Sequence, residues 1–263
     1  MTEADFPIKS SERVQSLDRA FLLLERLADA SSLTLSELAE GTGIPMPTAH
    51  RLLGFLAGKG YVRREAGKRY ALGLRLIRFG QTASRGLATW AAPYLARLVD
   101  EFGETANMAM LEGDACMYVA QVPSPQSERM FTEVGRVVMP HCTGVGKAIL
   151  SMLPEQQVVS MLTRTGMPPR TETTLTTIPD MLAALQEIRA TGYAIDDGEQ
   201  EFGVRCVAVP LTGLPLLAAV SVSGPSSRVR HEDVARIAPR VQAVARELVS
   251  GFTAAAGDAT LAS

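Results

Sequence analysis

Residues 43–56 read GIPMPTAHRLLGFL. The stretch opens like a loop and continues like a helix. Pro47 is tolerated in a first helical turn because the amide it lacks would have had no intrahelical partner there. At about 100° per residue, Ala49, Leu52, Leu53 and Leu56 then fall on one side. Pro47, Arg51, Gly54 and Gly58 fall opposite, with Thr48 and His50 on the flanks. That outward face is short-chained, contains glycine, and is tipped by one Arg and one His. An ordinary surface helix exposes more Glu, Lys and Gln. A helix with this face can approach another surface closely. A DNA major groove about 12 Å wide admits such a helix, whose N-terminal residues meet the base edges.

The flanking segments fit the same reading. Upstream, VQSLDRAFLLLERLADA places Leu17, Ala20, Phe21, Leu24, Leu27 and Ala28 at steps of three and four, which predicts a helix over about 17–30 with one apolar stripe. LTLSELAEGTG predicts a shorter helix with Thr34 as N-cap and Glu37 three residues on, a capping-box pattern. Gly41 or Gly43 ends it. Downstream, YVRREAGKRYALG predicts two short strands, 61–65 and 69–72, around a turn at 66–68. Helix, helix, turn, helix and basic hairpin make a winged helix-turn-helix. On this reading Arg51 contacts bases, Pro47, Thr48 and His50 lie at the same surface, and Lys59, Arg63, Arg64, Lys68 and Arg69 bind phosphate. Phosphate contacts position a protein on DNA without specifying sequence.

Charge supports this. The chain of 263 residues has a net charge of −2, which alone argues against nucleic acid. Residues 41–78, however, hold eight basic groups and one acid, a net of +7, and the remainder carries 18 basic and 27 acidic groups, a net of −9. A basic block on an acidic chain is the footprint of a nucleic-acid-binding module.

The length suits two domains, and 46% hydrophobic with 21% charged residues suits globular cores. No run of eighteen apolar residues suggests a membrane span, and the first fifteen residues lack the pattern of a secretory signal. Cys116, Cys142 and Cys206 are far apart and form no CxxC pair. A disulfide framework or structural zinc is therefore not expected, and a reducing cytoplasm is.

Beyond residue 73 the predicted order is a linker helix (74–86), a helix over 87–102, a hairpin of 105–111 and 115–122, and a further strand from MFTEVG (130–135). Helices over 145–152, 154–162 and 179–191 follow, then strands from YAIDD, VRCVAVPL and PLLAAVSVSG, and a closing helix from HEDVARIAPRVQAVARELVSGF. Strands broken by helices, with hairpins, indicate an α+β domain. The tail, 253–263, is expected to be disordered.

Six ordered segments carry a resemblance: RVQSLDRAFLLLERL, LTLSELAEGTGIPMPTAHRLLGFLAGKGYV, RYALGLRL, HCTGVGKAIL, GYAIDDGEQEFGVRCVAVPL and VSVSGP. Together they resemble the IclR family of bacterial transcription regulators from about residue 11 to 252. The resemblance implies a winged helix-turn-helix DNA-binding domain at 11–73, a linker helix at 74–86 and a GAF-like effector-binding domain at 87–252, its antiparallel sheet flanked by helices. It implies homodimers or dimers of dimers on palindromic double-stranded operators, answering to a small organic acid. Repression is the commoner mode in the family, and activation also occurs. By motif, the resemblance implies an effector site at Gly144, Val145, Asp196, Val204, Cys206, Ser221 and Ser223, with Met130 and Val138 in an apolar wall. Amides at a helix start suit a carboxylate. Cys142-Thr143 departs from the family's usual Ala-Ser or Ala-Thr.

Sharper chemistry does not fit these residues. GVGKA is not a phosphate loop: the position five before Gly146 is His141, and Ala148 follows Lys147. His141, Cys142, Asp196 and Cys206 lack the spacing of a metal site. A Cys-dependent hydrolase is the alternative function, disfavoured because Cys206 lies in an apolar strand run. No cofactor, metal or catalytic residue is expected.

Overall fold

The computed structural model describes residues 14–30, 32–84, 86–127 and 133–261. The chain divides into two compact units between Ala83 and Ser84.

The first unit contains α1 (Gln15–Ala28), β1 (Leu33–Thr34), α2 (Leu35–Thr42), α3 (Met46–Gly58), β2 (Val62–Glu65), β3 (Arg69–Leu72) and α4 (Arg75–Ser84), the last of which reaches the boundary. The capping box forms: Thr34 Oγ1 accepts from the Glu37 amide at 3.3 Å, and the Thr34 amide donates to Glu37 Oε2 at 2.7 Å. Gly43 caps the end of α2. Leu23, Leu27, Leu38, Ile44, Ala49, Leu53, Leu56, Val62 and Tyr70 close one core. The burial on α1 differs from the predicted stripe. Leu23 and Leu27 are buried, whereas Leu17 and Phe21 are exposed. The helix is apolar on more than one side, so periodicity alone does not choose the face. The strand Leu33–Thr34, unforeseen because two residues carry no period, pairs antiparallel with β3 and makes the hairpin a three-stranded sheet ordered β1-β3-β2.

The second unit holds α5 (Leu87–Phe102), β4 (Thr105–Glu112), β5 (Ala115–Val122), β6 (Val137–Val138), α6 (Gly144–Leu150), α7 (Glu155–Thr165), α8 (Ile178–Thr191), β7 (Ala194–Asp197), β8 (Val204–Pro210), β9 (Ala218–Pro225) and α9 (Val234–Leu261). The strands form one antiparallel sheet in the order β6-β5-β4-β9-β8-β7. Alternate residues of a strand serve opposite faces. Met108, Val207, Val209, Val220 and Val222 join the core with Leu95 and Leu98 of α5 and Val241 and Leu248 of α9. The opposite face is built of small residues (Ala109, Cys116, Ala194, Cys206, Ala208 and Ala219) and carries α6, α7 and α8. A shallow face lets α6 lie close to the sheet, and every residue of that helix is buried.

Two expectations need correction. In MFTEVG, residues 130–132 lie outside the described residues. Residues 133–136 form a turn closed by Arg136 N donating to Glu133 O at 3.0 Å, and the strand is 137–138 instead. The expected disordered tail is helical to Leu261, continuing α9 through TAAAGDATL. Alanine has the highest helix propensity of the residues, and this segment is rich in it.

Thr34→Ala removes a cap whose acceptor satisfies an otherwise orphaned amide. It should cost about 1 kcal/mol of stability in the first unit, read as a lowered midpoint in urea unfolding of the full chain followed by circular dichroism.

Candidate functional site

The side chains of α3 point where the period placed them. On α3, Ala49, Leu53 and Leu56 are buried, while Met46, Pro47, His50, Arg51 and Phe55 are exposed and Thr48 and Gly54 half-buried. No acidic residue lies on the helix. Phe55, 64% exposed, went unremarked in the sequence. It falls beside Arg51, since residues four apart are neighbours on a helix, and Lys59 Nζ stands 5.7 Å from its ring.

The wing's basic residues divide into free and committed groups. Lys68 is exposed at the turn. Arg64 is exposed, its guanidinium 5.7 Å from the Tyr70 ring. Arg63 pairs with Glu65 at 2.7 Å and donates to Leu72 O at 3.1 Å. Arg69, expected at a phosphate, is turned inward. It donates to Ser32 Oγ at 2.9 Å and Ser32 O at 2.7 Å, and lies 3.4 Å from Glu37. Its charge ties the wing to the chain before α2.

In the second unit, the sheet aligns several residues named from the sequence. Asp196 pairs in register with Cys206, Cys206 with Ser223, and Ser223 with Thr105. One strand pair further along, Ala208 pairs with Ser221. Asp196, Cys206, Ser221 and Ser223 therefore share the face under α6, and all four are buried. Gly144, at the start of α6, lies directly over this row. A Cβ there would stand 2.8 Å from Cys206 Sγ and 3.4 Å from Ala208 Cβ. Gly146 is tighter, for its Cβ would meet the Pro140 backbone at 2.4 Å. Val145 and Val138 are buried in the same apolar cluster. Val204, the first residue of β8, is half-buried, and Met130 lies outside the described residues.

Other groups in the neighbourhood escaped the sequence. Lys147 and Glu199 form a buried ion pair. Cys142 Sγ donates to Gln200 Oε1 at 2.8 Å. The Glu199 amide donates to Asp196 Oδ1 at 2.8 Å. Thr171 Oγ1 donates to Gly198 O at 2.6 Å, and Thr174 Oγ1 to Glu199 O at 2.7 Å. The loop between β7 and β8 is thus fastened from both sides. Apart from Glu199 and Asp196, which are three apart, these partners are 25 to 58 residues apart, and no local pattern pairs them. His141 Nδ1, Glu199 Oε2 and Ser221 Oγ are buried without a partner at hydrogen-bonding geometry, although Ser221 lies beside the Cys206 thiol.

Burial controls the titration of this cluster. It pushes the Asp196 carboxyl up to about 7, against the bond from the Glu199 amide and with the nearby Glu199 carboxylate adding to it. Burial also raises Glu199, opposed by Lys147, and lowers His141. The Cys142 and Cys206 thiols are both raised to about 12, chiefly by burial and further by Asp196. A nucleophilic cysteine needs the opposite shift.

Residues 16–66 match the IclR helix-turn-helix domain, and residues 80–250 match the bacterial transcriptional regulator IclR C-terminal family. The chain belongs to the IclR family of bacterial transcriptional regulators. It is similar to the acetate operon repressor of Salmonella typhimurium (36% identity over 91% of this chain and 90% of the relative). It is likewise similar to the transcriptional repressor IclR of Escherichia coli (35% identity over the same shares). The crystal structure of the Thermotoga maritima IclR superposes with a TM-score of 0.69 at 29% identity, covering 90% of this chain and 98% of that one. This IclR-family protein is a DNA-binding transcriptional regulator with an N-terminal helix-turn-helix and an α+β C-terminal unit. Among its described residues, no helix is long and apolar enough to cross a membrane.

Two outcomes follow from the buried cluster. Gly144→Ala should destabilise the regulator, and Cys206→Ala should relieve part of that loss by removing the sulfur in the way. A double-mutant cycle in urea would read this as a non-additive recovery. Asp196 makes stability depend on pH. Below about 4 it is protonated folded and unfolded; between about 4 and 7 the unfolded state ionises first, so stability falls as pH rises through that window. Asp196→Asn should flatten the fall and raise the urea midpoint at pH 8 relative to the unsubstituted chain.

Proposed function

We propose that this regulator represses transcription from a palindromic operator as a dimer or dimer of dimers, and that a low-mass organic acid bound in its C-terminal unit controls that binding. The observation that carries the DNA reading is α3 itself: an exposed, acid-free face with Arg51 at its centre, beside a wing with Arg64 and Lys68 turned outward. Arg pairs bidentately with guanine O6 and N7. His50 and Thr48, beside Pro47, contact bases or phosphate, and Lys59, Arg63, Arg64 and Lys68 meet phosphates. Repression follows the names of the similar proteins.

The effector reading rests on the convergence of Gly144, Asp196, Cys206, Ser221 and Ser223 beneath α6. The first amides of α6, those of Gly144 and Val145, have no partner within the helix and can donate to a carboxylate. Thr143 Oγ1 already takes the Gly146 amide at 3.2 Å. Val138, Val145 and Val204 supply the apolar wall. Binding there favours one dimer geometry and so resets the separation of two recognition helices. Half-sites one helical turn apart require about 34–36 Å. Three buried free cysteines suit a reducing cytoplasm. Hydrolysis by Cys206 has no support, because its thiol is shifted away from the reactive form.

The test is fluorescence-anisotropy titration of the full chain on its own upstream intergenic DNA, with and without a panel of small organic acids. The expected outcome is tight, salt-dependent binding that one class of acid weakens or strengthens. Indifference to sequence would remove the operator reading, and indifference to every acid the effector reading. Arg51→Ala should lose about 1–3 kcal/mol on the operator and relax sequence preference. An equal loss on random DNA would make Arg51 a phosphate contact instead.

A further inference from the structure

We infer that Arg75, with Gly73 and Tyr61, is a positioning device that clamps the end of the recognition helix to the start of α4, so that the direction of α4 sets the direction of α3. The inference builds on the reading of α3 as the helix that enters the groove and of the operator as two half-sites.

The two helices meet through backbone. The Gly73 amide donates to Tyr61 O at 2.8 Å. A Cβ on Gly73 would lie 2.1 Å from Gly60 O and 2.8 Å from the carbonyl carbons of Gly60 and Tyr61. Those atoms are main chain and cannot swing aside, so only glycine permits this approach. Next, Arg75 Nη1 donates to Lys59 O at 3.1 Å. Lys59 is the C-cap of α3, and carbonyls at a helix end lack an intrahelical donor. A cation there also faces the negative end of the helix dipole. The same guanidinium stands 5.5 Å from the Tyr61 ring, within cation–π range. Tyr61 in turn receives Phe79 edge-on, with ring centroids 5.7 Å apart and planes at 65°.

Residues 73, 75 and 79 thus grip residues 59–61 by three different contacts: a close backbone approach, a charged cap and a ring pair. Leu74 and Ile77 of the same segment are exposed at 70% and 55%, so the hold on α4 comes from this grip more than from an apolar core. Arg75 belongs to the basic block of the sequence, yet its guanidinium is turned to protein. It positions the recognition helix and contacts no phosphate.

The experiment uses the full chain and an operator recovered by selection from a random duplex library. Affinity is measured on the operator, on operators lengthened between half-sites by one and two base pairs, and on a single half-site across a salt series. For Arg75→Ala, single-half-site affinity should stay within about twofold and its salt slope should be unchanged, because no phosphate contact is lost. The penalty for lengthening should shrink from about tenfold in the unsubstituted chain to under about threefold, because a loosened clamp lets α3 re-aim. Phe79→Leu, which removes only the ring contact, should move the same way by less, and it decides the matter should the alanine variant fail to fold. A salt slope lower by about one would make Arg75 a phosphate ligand and overturn the inference. A spacing penalty unchanged in the variants would also overturn it. Should the unsubstituted chain itself ignore spacing, the two-half-site reading falls, and this inference with it.

Discussion

The C-terminal unit depends on how closely α6 can approach the sheet. Gly144 and Gly146 remove the two side chains that would collide with Cys206 and with the Pro140 backbone, and the alanines of β4, β7, β8 and β9 make room from below. Once α6 is seated, Lys147 has no route to water and must find a counter-charge. Glu199, on the loop between β7 and β8, supplies it. An unpaired buried charge is costly enough that neither residue is free to leave. The loop is then held where Asp196 and Gln200 face the helix start. Helix, loop and polar row are one construction, and its members come from five separate stretches of chain.

The N-terminal unit solves a different problem. It must keep positive charge outside while remaining folded at roughly eighty residues. Part of the basic block is therefore structural. Arg69 binds the chain before α2, Arg63 leans on Glu65 and Leu72, and Arg75 caps α3. Arg51, Lys59, Arg64, Lys68 and Arg78 are exposed and outside these contacts, as is His50, and Arg63 stays exposed beside Glu65. Counting basic residues identifies the module and overstates how many of them stand clear of protein partners.

This difference marks what was legible in the sequence. The capping box at Thr34 and Glu37, the core side of α3, the wing hairpin and the order of strands and helices all rest on local spacing, and local spacing is visible in one sequence. The row of Asp196, Cys206 and Ser223 was reached through a family resemblance, and the strand register brings those residues together. The pairs Lys147–Glu199 and Cys142–Gln200 had no signature, because a contact across 52 or 58 residues leaves no periodic trace. The inward turn of Arg69 was hidden for the same reason: its partner Ser32 is 37 positions away. On α1, two apolar sides competed, and tertiary contacts chose Leu23 and Leu27 over Leu17 and Phe21.

The interleaving of α3 has an evolutionary side. Its core residues, Ala49, Leu53 and Leu56, alternate with solvent-facing ones, Met46, His50, Arg51 and Phe55. Exchanging an exposed side chain usually changes folding stability by less than about half a kilocalorie per mole. The residues of the C-terminal row have no such freedom, since Asp196, Cys206, Ser221 and Ser223 are interior residues of the sheet as well as candidates for the ligand. Mutational drift is therefore cheap at the exposed face of α3 and expensive at the interior row. A lineage built on this scaffold can acquire new target sequences faster than new chemical signals.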